Sequence, residues 1–386
     1  MAVSLITQPK KYSPAFWSVA WDISLDDLGT DPIRIDWGGY LALADNTRIS
    51  EDIKYKPFAA DVQFRKEFRA LCGGLVYTSF PTDASTATVD TNIIKQVKLK
   101  YGTVTFNTDN CPDGGEKEFD FDSNTINIIN ANANVETQQL FGNSAGFISP
   151  RTGLLLSQRP AAWTLCHGAK DYLWYLGVGT MTIKYYSGST QIGSTQSFTL
   201  SGATTVKYVA LDYNQYSIAK PTHAIILVND GTAEPGTEYR INYCDCVEQD
   251  NYLGVMFLEP MGGRSMFHTG IPESVDIERS GTTVVKAFDL SQTQHKTGGE
   301  TFFIPKGTKK VSFKMELERC TGIETWISNF FSSAGHHAQR GYGANLKWEK
   351  FILDSGTYKV LEKNKLVEVS FTGYVGEGIR SQNSDI

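Results

Sequence analysis

Short segments in which large apolar and polar residues alternate recur along this chain, and that period of two restricts what it can fold into. Val97, Leu99 and Tyr101 alternate with Lys98 and Lys100, and Phe119 and Phe121 alternate with Asp120 and Asp122. Val367, Val369 and Phe371 likewise alternate with Glu368, Ser370 and Thr372. Successive side chains of a strand point to opposite faces, so each such segment buries one face and wets the other. Residues 181–186, a Ser187-Gly188-Ser189-Thr190 turn and residues 191–200 predict a hairpin. Apolar runs at 206–211, 224–228, 253–258, 283–288 and 311–317 predict further strands, as do 347–353, 357–361 and 365–374. Composition agrees: aromatics make up 12% of the 386 residues and there are 35 glycines, which suits pleated surfaces joined by tight turns.

One segment breaks the period. From Thr321 to Phe331, the residues Ile323, Trp326, Ile327, Phe330 and Phe331 fall at helical spacing along one face. Thr321 with Glu324 three residues later reads as a capping box, and Gly335 as a stop. The expected architecture is mainly β. It has an N-terminal arm at 1–24, a β-sandwich-like region at 25–245 of one or two subdomains, and a second β-rich domain at 246–386 carrying one short helix, about 321–334. In the arm, Pro9 and Pro14 oppose regular ladder pairing, while Phe16, Trp17 and Trp21 offer apolar bulk without an obvious local core. These three are the candidate intersubunit contacts.

Lys plus Arg number 36 against 42 for Asp plus Glu, a net charge of −6, so no global field draws the chain to nucleic acid or anionic lipid. The lysines at 95, 98 and 100 and at 306, 309 and 310 lack interleaved aromatics on the same face and read as edge-strand guards. No stretch approaches the roughly 18–20 apolar residues of a membrane span, and the N-terminus lacks a secretory apolar run, so no membrane insertion and synthesis in a cytoplasm are expected. Cys72, Cys111, Cys166, Cys244, Cys246 and Cys320 are scattered, as where thiols stay reduced.

The search for chemistry assigns no catalytic, cofactor-binding or metal-binding residue, and the chain reads as no enzyme. Cys244-x-Cys246 lacks the second ligand pair of a structural zinc site and reads as strand thiols, and His336-His337 as a solvated loop. The stretch Asp109–Asp120 places Cys111 where a calcium loop needs an oxygen ligand, so it reads as a turn. No Gly-x-Ser-x-Gly elbow exists, Cys166-His167 reads as a strand-end pair, and Gly177-Val-Gly179 lacks the third glycine of a dinucleotide fingerprint. Asp120, Asp122, Glu316 and Glu318 sit on alternating strands whose wet faces account for them.

Several segments nonetheless share their order with a known family. Cys244-Asp-Cys246 precedes an apolar strand that runs through Val255 into a Gly262-Gly263 turn followed by Phe267. Trp326 to Ser333 then gives a Trp-containing helix with a Ser-rich end, and Leu366 to Phe371 an alternating strand. Upstream lie Ile6 to Phe16, Phe147-Ile-Ser-Pro-Arg151, Gln158-Arg159-Pro160 and Asp171-Tyr-Leu-Trp174. In this order the chain resembles tail structural proteins of bacteriophages infecting Bacteroidota, crAss-like phages included. Two departures, Arg264-Ser265 after the Gly-Gly turn and the loop His336–Asn345, point to a different partner surface. The resemblance implies domains of tail-tube or distal-tail type. It also implies a virion tail location after synthesis in the host cytoplasm, and assembly as a homo-oligomeric ring or sleeve beside neighbouring tail proteins. It carries over no catalytic residues. The alternative is a receptor- or glycan-binding tail-tip module presenting rings such as Trp163, Trp174 and Tyr185 to a host surface glycan.

Overall fold

The computed structural model describes residues 3–9, 11–16, 18–29, 33–56, 60, 63–107, 115–132, 153–202, 204–229, 236–245, 252–269, 274–286, 299–341, 346–361 and 365–376. The chain opens with β1 (Val3–Thr7), β2 (Tyr12–Pro14), β3 (Ala20–Leu25), β4 (Ile33–Leu43), β5 (Ile53–Tyr55) and β6 (Phe64–Glu67), then a short helix α1 (Arg69–Leu75). β7 (Thr88–Val89), β8 (Ile94–Asn107), β9 (Glu116–Asp122) and β10 (Ile126–Ile129) follow. β1, β3 and β6 make one sheet; β2-β10-β8-β4-β5, with β9 also on β8, make a second. Residues of both sheets share one core, in which Trp21, Ile23, Leu25, Trp37, Leu41, Leu99 and Ile126 are fully buried.

The expected arm at 1–24 is therefore corrected to strands of this first sandwich. β1 pairs antiparallel with β3, and β2 lies parallel to β10 at a sheet edge. Pro14 closes that edge strand, where a missing N–H does no harm. Trp21, Ile23 and Leu25 point inward together because they stand two residues apart, a strand signal that the flanking prolines obscure.

A second pair of sheets follows, from β11 (Gly153–Leu155), β12 (Ala162–Cys166), β13 (Tyr172–Gly177), β14 (Gly179–Ser187), β15 (Thr190–Leu200), β16 (Val206–Ala210), β17 (His223–Asn229) and β18 (Thr237–Cys244). Their orders are β11-β13-β16-β7 and β12-β18-β17-β14-β15. β14 and β15 are the predicted hairpin, joined by Gly188-Ser189. Every residue of β13 is buried, and its Trp174 meets Tyr208 and Tyr172 in the core between the sheets.

The last unit comprises β19 (Tyr252–Leu258), β20 (Arg264–His268), β21 (Ser274–Lys286), β22 (Gly299–Glu318), a helix α2 (Ile323–Ser332), β23 (His336–Arg340), β24 (Lys347–Leu361) and β25 (Leu366–Gly376). The strands form one antiparallel sheet, β20-β19-β23-β24-β25-β22-β21. The predicted stripe of α2 covers it: Ile323, Trp326, Ile327 and Phe330 are buried, and Phe330 stacks on Phe267 at 4.5 Å. The predicted cap does not form. Gly322 takes the N-cap position, and Glu324 instead pairs with Arg319 at 3.0 Å. His336-His337 is not a solvated loop but the start of β23, a central strand in which His336 bonds the Phe330 carbonyl at 2.7 Å. The chain is thus mainly β, with a β-sandwich-like N-terminal region and a second β-rich domain carrying a helix. No helix among the described residues is long and apolar enough to cross a membrane.

Candidate functional site

The three units meet at the turn between β19 and β20. Gly262 adopts φ +98°, and a Cβ there would lie 2.4 Å from the Asn130 carbonyl oxygen of the first sandwich. At Gly263 a Cβ would lie 2.2 Å from the Leu156 carbonyl of the second. Only bare backbone fits between these neighbours. The Thr78 hydroxyl donates to the Gly262 carbonyl at 2.5 Å and accepts from the Asn130 amide at 2.7 Å. Asn132 N–H donates to the Pro260 carbonyl, and Gly263 N–H to that of Leu156.

Beneath the turn lies a buried polar network. The Arg159 guanidinium donates to Asp171 at 2.7 and 3.4 Å, to the Tyr172 carbonyl at 3.0 Å and to the Ser265 hydroxyl at 2.9 Å, and both side chains of the ion pair are fully buried. Its far face lies over the Trp163 ring at 4.6 Å. Asp171 also accepts from Tyr172 N–H and from Met266 N–H of β20. Glu259 accepts from Ser265 at 2.6 Å and Ser157 at 3.0 Å. Burial raises the Glu259 carboxyl above its ordinary value, against the opposing pull of those bonds and of Arg159. Arg264 donates to the Thr78 carbonyl at 3.1 Å and lies over Phe80, and burial lowers its pKa. The departure Arg264-Ser265 is therefore part of the chain's own junction rather than an altered partner surface. The second departure, at 336–345, contains the central strand β23.

The seven-stranded sheet ends in an overhang. β25 pairs with β22 only from Lys309 to Glu318, whereas β21 pairs with β22 from Ser274↔Ser312 out to Lys286↔Gly299. Residues 299–308 of β22 therefore extend beyond the sheet with β21 alone, over roughly 30 Å at strand rise. Among the described residues no third strand pairs with either side of this two-stranded ribbon, and β21 is the sheet's edge throughout. In sequence the ribbon carries Val284, Val285, Phe302, Phe303 and Ile304.

Of the sequence-predicted contacts, Trp21 is withdrawn: it is fully buried against Phe68, ring centroids 5.3 Å apart, and has no surface to offer a neighbour. Trp17 lies outside the described residues. Phe16 is 37% exposed and lines a groove of about 360 Å³ with Asn130, Asn132, Pro260, Asn329 and Ser332, between the first sandwich and α2. The rings proposed for glycan contact, Trp163, Trp174 and Tyr185, are all core residues, 5%, 0% and 0% exposed. Exposed aromatics that the sequence did not single out are Tyr77, Phe80 and Tyr358, and Phe121, expected on a buried strand face, is 44% exposed on β9. Lys95, Lys98 and Lys100 do not guard an edge, because β8 lies inside its sheet; Lys98 and Lys100 both pair with Asp122 across β8 and β9, at 2.7 and 3.3 Å.

No family model and no curated protein matches the chain. Among solved structures it is similar to one described as the crystal structure of CBD12 from CALX1.2, at 10% identity over 57% of this chain and 76% of that one. The TM-score is 0.16, too low to support any argument about fold or function.

Proposed function

We propose that this chain is a structural protein of a bacteriophage tail or tail tip, which assembles with copies of itself and with neighbouring tail proteins by strand addition at the β21–β22 ribbon. The observation that carries this reading is the overhang at 299–308, which among the described residues is paired on one side only, by β21. A two-stranded ribbon is marginal in water by itself, and the N–H and C=O rows that no other described strand pairs with are a template for another chain. The buried polar junction supports the same reading, since it ties three β units into a body that can bear load from such a grip. The tail assignment itself rests on the order of the sequence segments that resemble Bacteroidota phage tail proteins. No catalytic step is assigned to any residue.

The test replaces residues 280–306 by Asn-Gly, which closes Arg279 to Gly307 with a two-residue hairpin turn. Light scattering should give a multimer for the full chain and a monomer for the shortened one. An unchanged multimer would remove the ribbon from the assembly.

A second reading, a glycan-binding tail-tip module, is favoured by one observation: the groove beside Phe16 sets an aromatic ring against Asn and Ser side chains and the carboxyl residue Glu259. Glycan-array binding that disappears in Phe16→Ala would support it, and its absence would leave the assembly role alone.

A further inference from the structure

Cys166 and Cys244 are direct register partners at the ends of the parallel strands β12 and β18, so their side chains leave the sheet side by side. His268 closes β20 of the neighbouring unit and brings its imidazole to them. The ring Nε2 lies 3.9 Å from Cys166 Sγ and 3.7 Å from Cys244 Sγ, and ligand atoms of all three residues fall within 4.8 Å of one another. Around a tetrahedral zinc ion, with metal–sulfur near 2.3 Å and metal–nitrogen near 2.0 Å, donor atoms stand roughly 3.5–3.8 Å apart. The second ring nitrogen, Nδ1, lies 3.1 Å from the Leu253 carbonyl and 3.3 Å from Cys166 Sγ. An Nδ1–H donated to that carbonyl turns the Nε2 lone pair outward, the orientation that metal-bound histidines take from a backbone partner. Cys166 is fully buried and Cys244 and His268 are half-buried.

We infer that Cys166, Cys244 and His268 form a redox-gated site for a thiophilic divalent cation of the zinc type. Cys166 is disulfide-bonded in this structure, which corrects the expectation that all the cysteines stay reduced. A cellular dithiol reduces that bond, leaving as its own disulfide and returning Cys166 and its former partner as two thiols. Zinc then binds the Cys166 and Cys244 sulfurs and His268 Nε2, releasing two protons to solvent. A disulfide oxidant in the surrounding medium, itself reduced to two thiols, re-forms the bond between Cys166 and its former partner, which withdraws one of the three donors and expels the ion. The Cys-x-Cys spacing could not reveal this, because its partners come from residues 166 and 268, on other strands. In a chain made in a reducing cytoplasm and then carried in a particle outside it, such a site would link the grip between two β units to the redox state around it.

The test titrates the reduced, chelator-treated full chain with cobalt(II). One equivalent should produce a thiolate-to-cobalt charge-transfer band, absent from the oxidised chain. Cys244→Ser and His268→Asn should abolish the band and weaken zinc binding by at least about 100-fold, since loss of even an outer partner costs 10–100-fold. Cys72→Ser and Cys320→Ser should retain it. A second readout needs no variant: zinc should raise the melting temperature of the reduced chain and leave that of the oxidised chain unchanged. No cobalt band with the reduced chain, a band that survives both ligand substitutions, or equal binding to oxidised and reduced chains would overturn the inference.

Discussion

Replacing Arg159 with methionine removes the cation at the centre of the junction and leaves Asp171, fully buried, without its partner. Methionine keeps much of the packing on Trp163, so the loss is mainly polar. It includes the bonds at 2.7 and 3.4 Å to Asp171, 3.0 Å to the Tyr172 carbonyl, 2.9 Å to Ser265 and 3.2 Å to Ser157. Summing charged hydrogen bonds singly would overshoot, because both charges also shed water on folding. Removing one member of a buried pair costs about 3–5 kcal/mol, and that is the expected loss for Arg159→Met. Asp171→Leu alone should cost a similar amount, for it strands the guanidinium. The double variant Arg159→Met/Asp171→Leu should cost less than about half of either single loss, so that the two single losses overshoot the double by about 4–7 kcal/mol in the cycle. The assay is urea unfolding by tryptophan fluorescence and by far-ultraviolet circular dichroism, because three cores share one stability only where both probes agree. A single-variant loss under about 1 kcal/mol, or losses that simply add, would refute the account of the junction.

Gly262→Ala should cost about 2–4 kcal/mol from backbone strain and the clash with the Asn130 carbonyl, whereas Gly188→Ala, at positive φ but in open space, should cost about 1 kcal/mol. Equal losses in urea unfolding would contradict the close approach. His337 is pushed from 6.5 down to about 4 by burial and by the neighbouring charges of Arg264, His336 and Lys350. The unfolded chain therefore binds its proton more readily than the folded one, and its contribution to stability is complete above pH 6.5 and lost as pH falls towards 4. In His337→Gln the stability profile should be flatter across that window; superimposable profiles would dismiss the effect. Cys72 is fully buried and its thiol is pushed up to about 12, chiefly by burial. Iodoacetamide should label it only as fast as the chain opens, and rapid labelling of the native chain would show the site to be accessible.

The strands were legible where the alternation is carried by large side chains, as in β8 and β25, and the β14–β15 hairpin was legible from its Gly-containing turn. Where tertiary partners decide, sequence was silent. β23 reads His-His-Ala-Gln-Arg, with no alternation of large residues, and is a strand because β19 and β24 flank it. α1 holds Gly73 and Gly74 in a seven-residue span and has no apolar stripe to announce it. β24 looked like two strands because Asp354-Ser-Gly reads as a turn, but pairing with β25 continues through an irregularity between Leu353 and Ser355. The stripe of α2 was plain, while its cap was not, since Gly322 took the position that Thr321 seemed to fill. The ribbon was half visible: the run at 283–288 marked a strand, but Gly281 and Pro305 concealed the length of its pairing. The junction was least legible, because Arg159, Asp171 and Glu259 acquire their roles only when distant segments meet. The Gly262-Gly263 turn was seen, but not what it touches.

Electron microscopy of the assembled full-length protein tests the central claim most directly. The account predicts a closed ring or sleeve in which residues 299–308 of each copy hydrogen-bond, strand to strand, with a neighbouring copy or tail protein. An assembly whose contacts lie elsewhere, with the ribbon projecting into solvent on every copy, would contradict it.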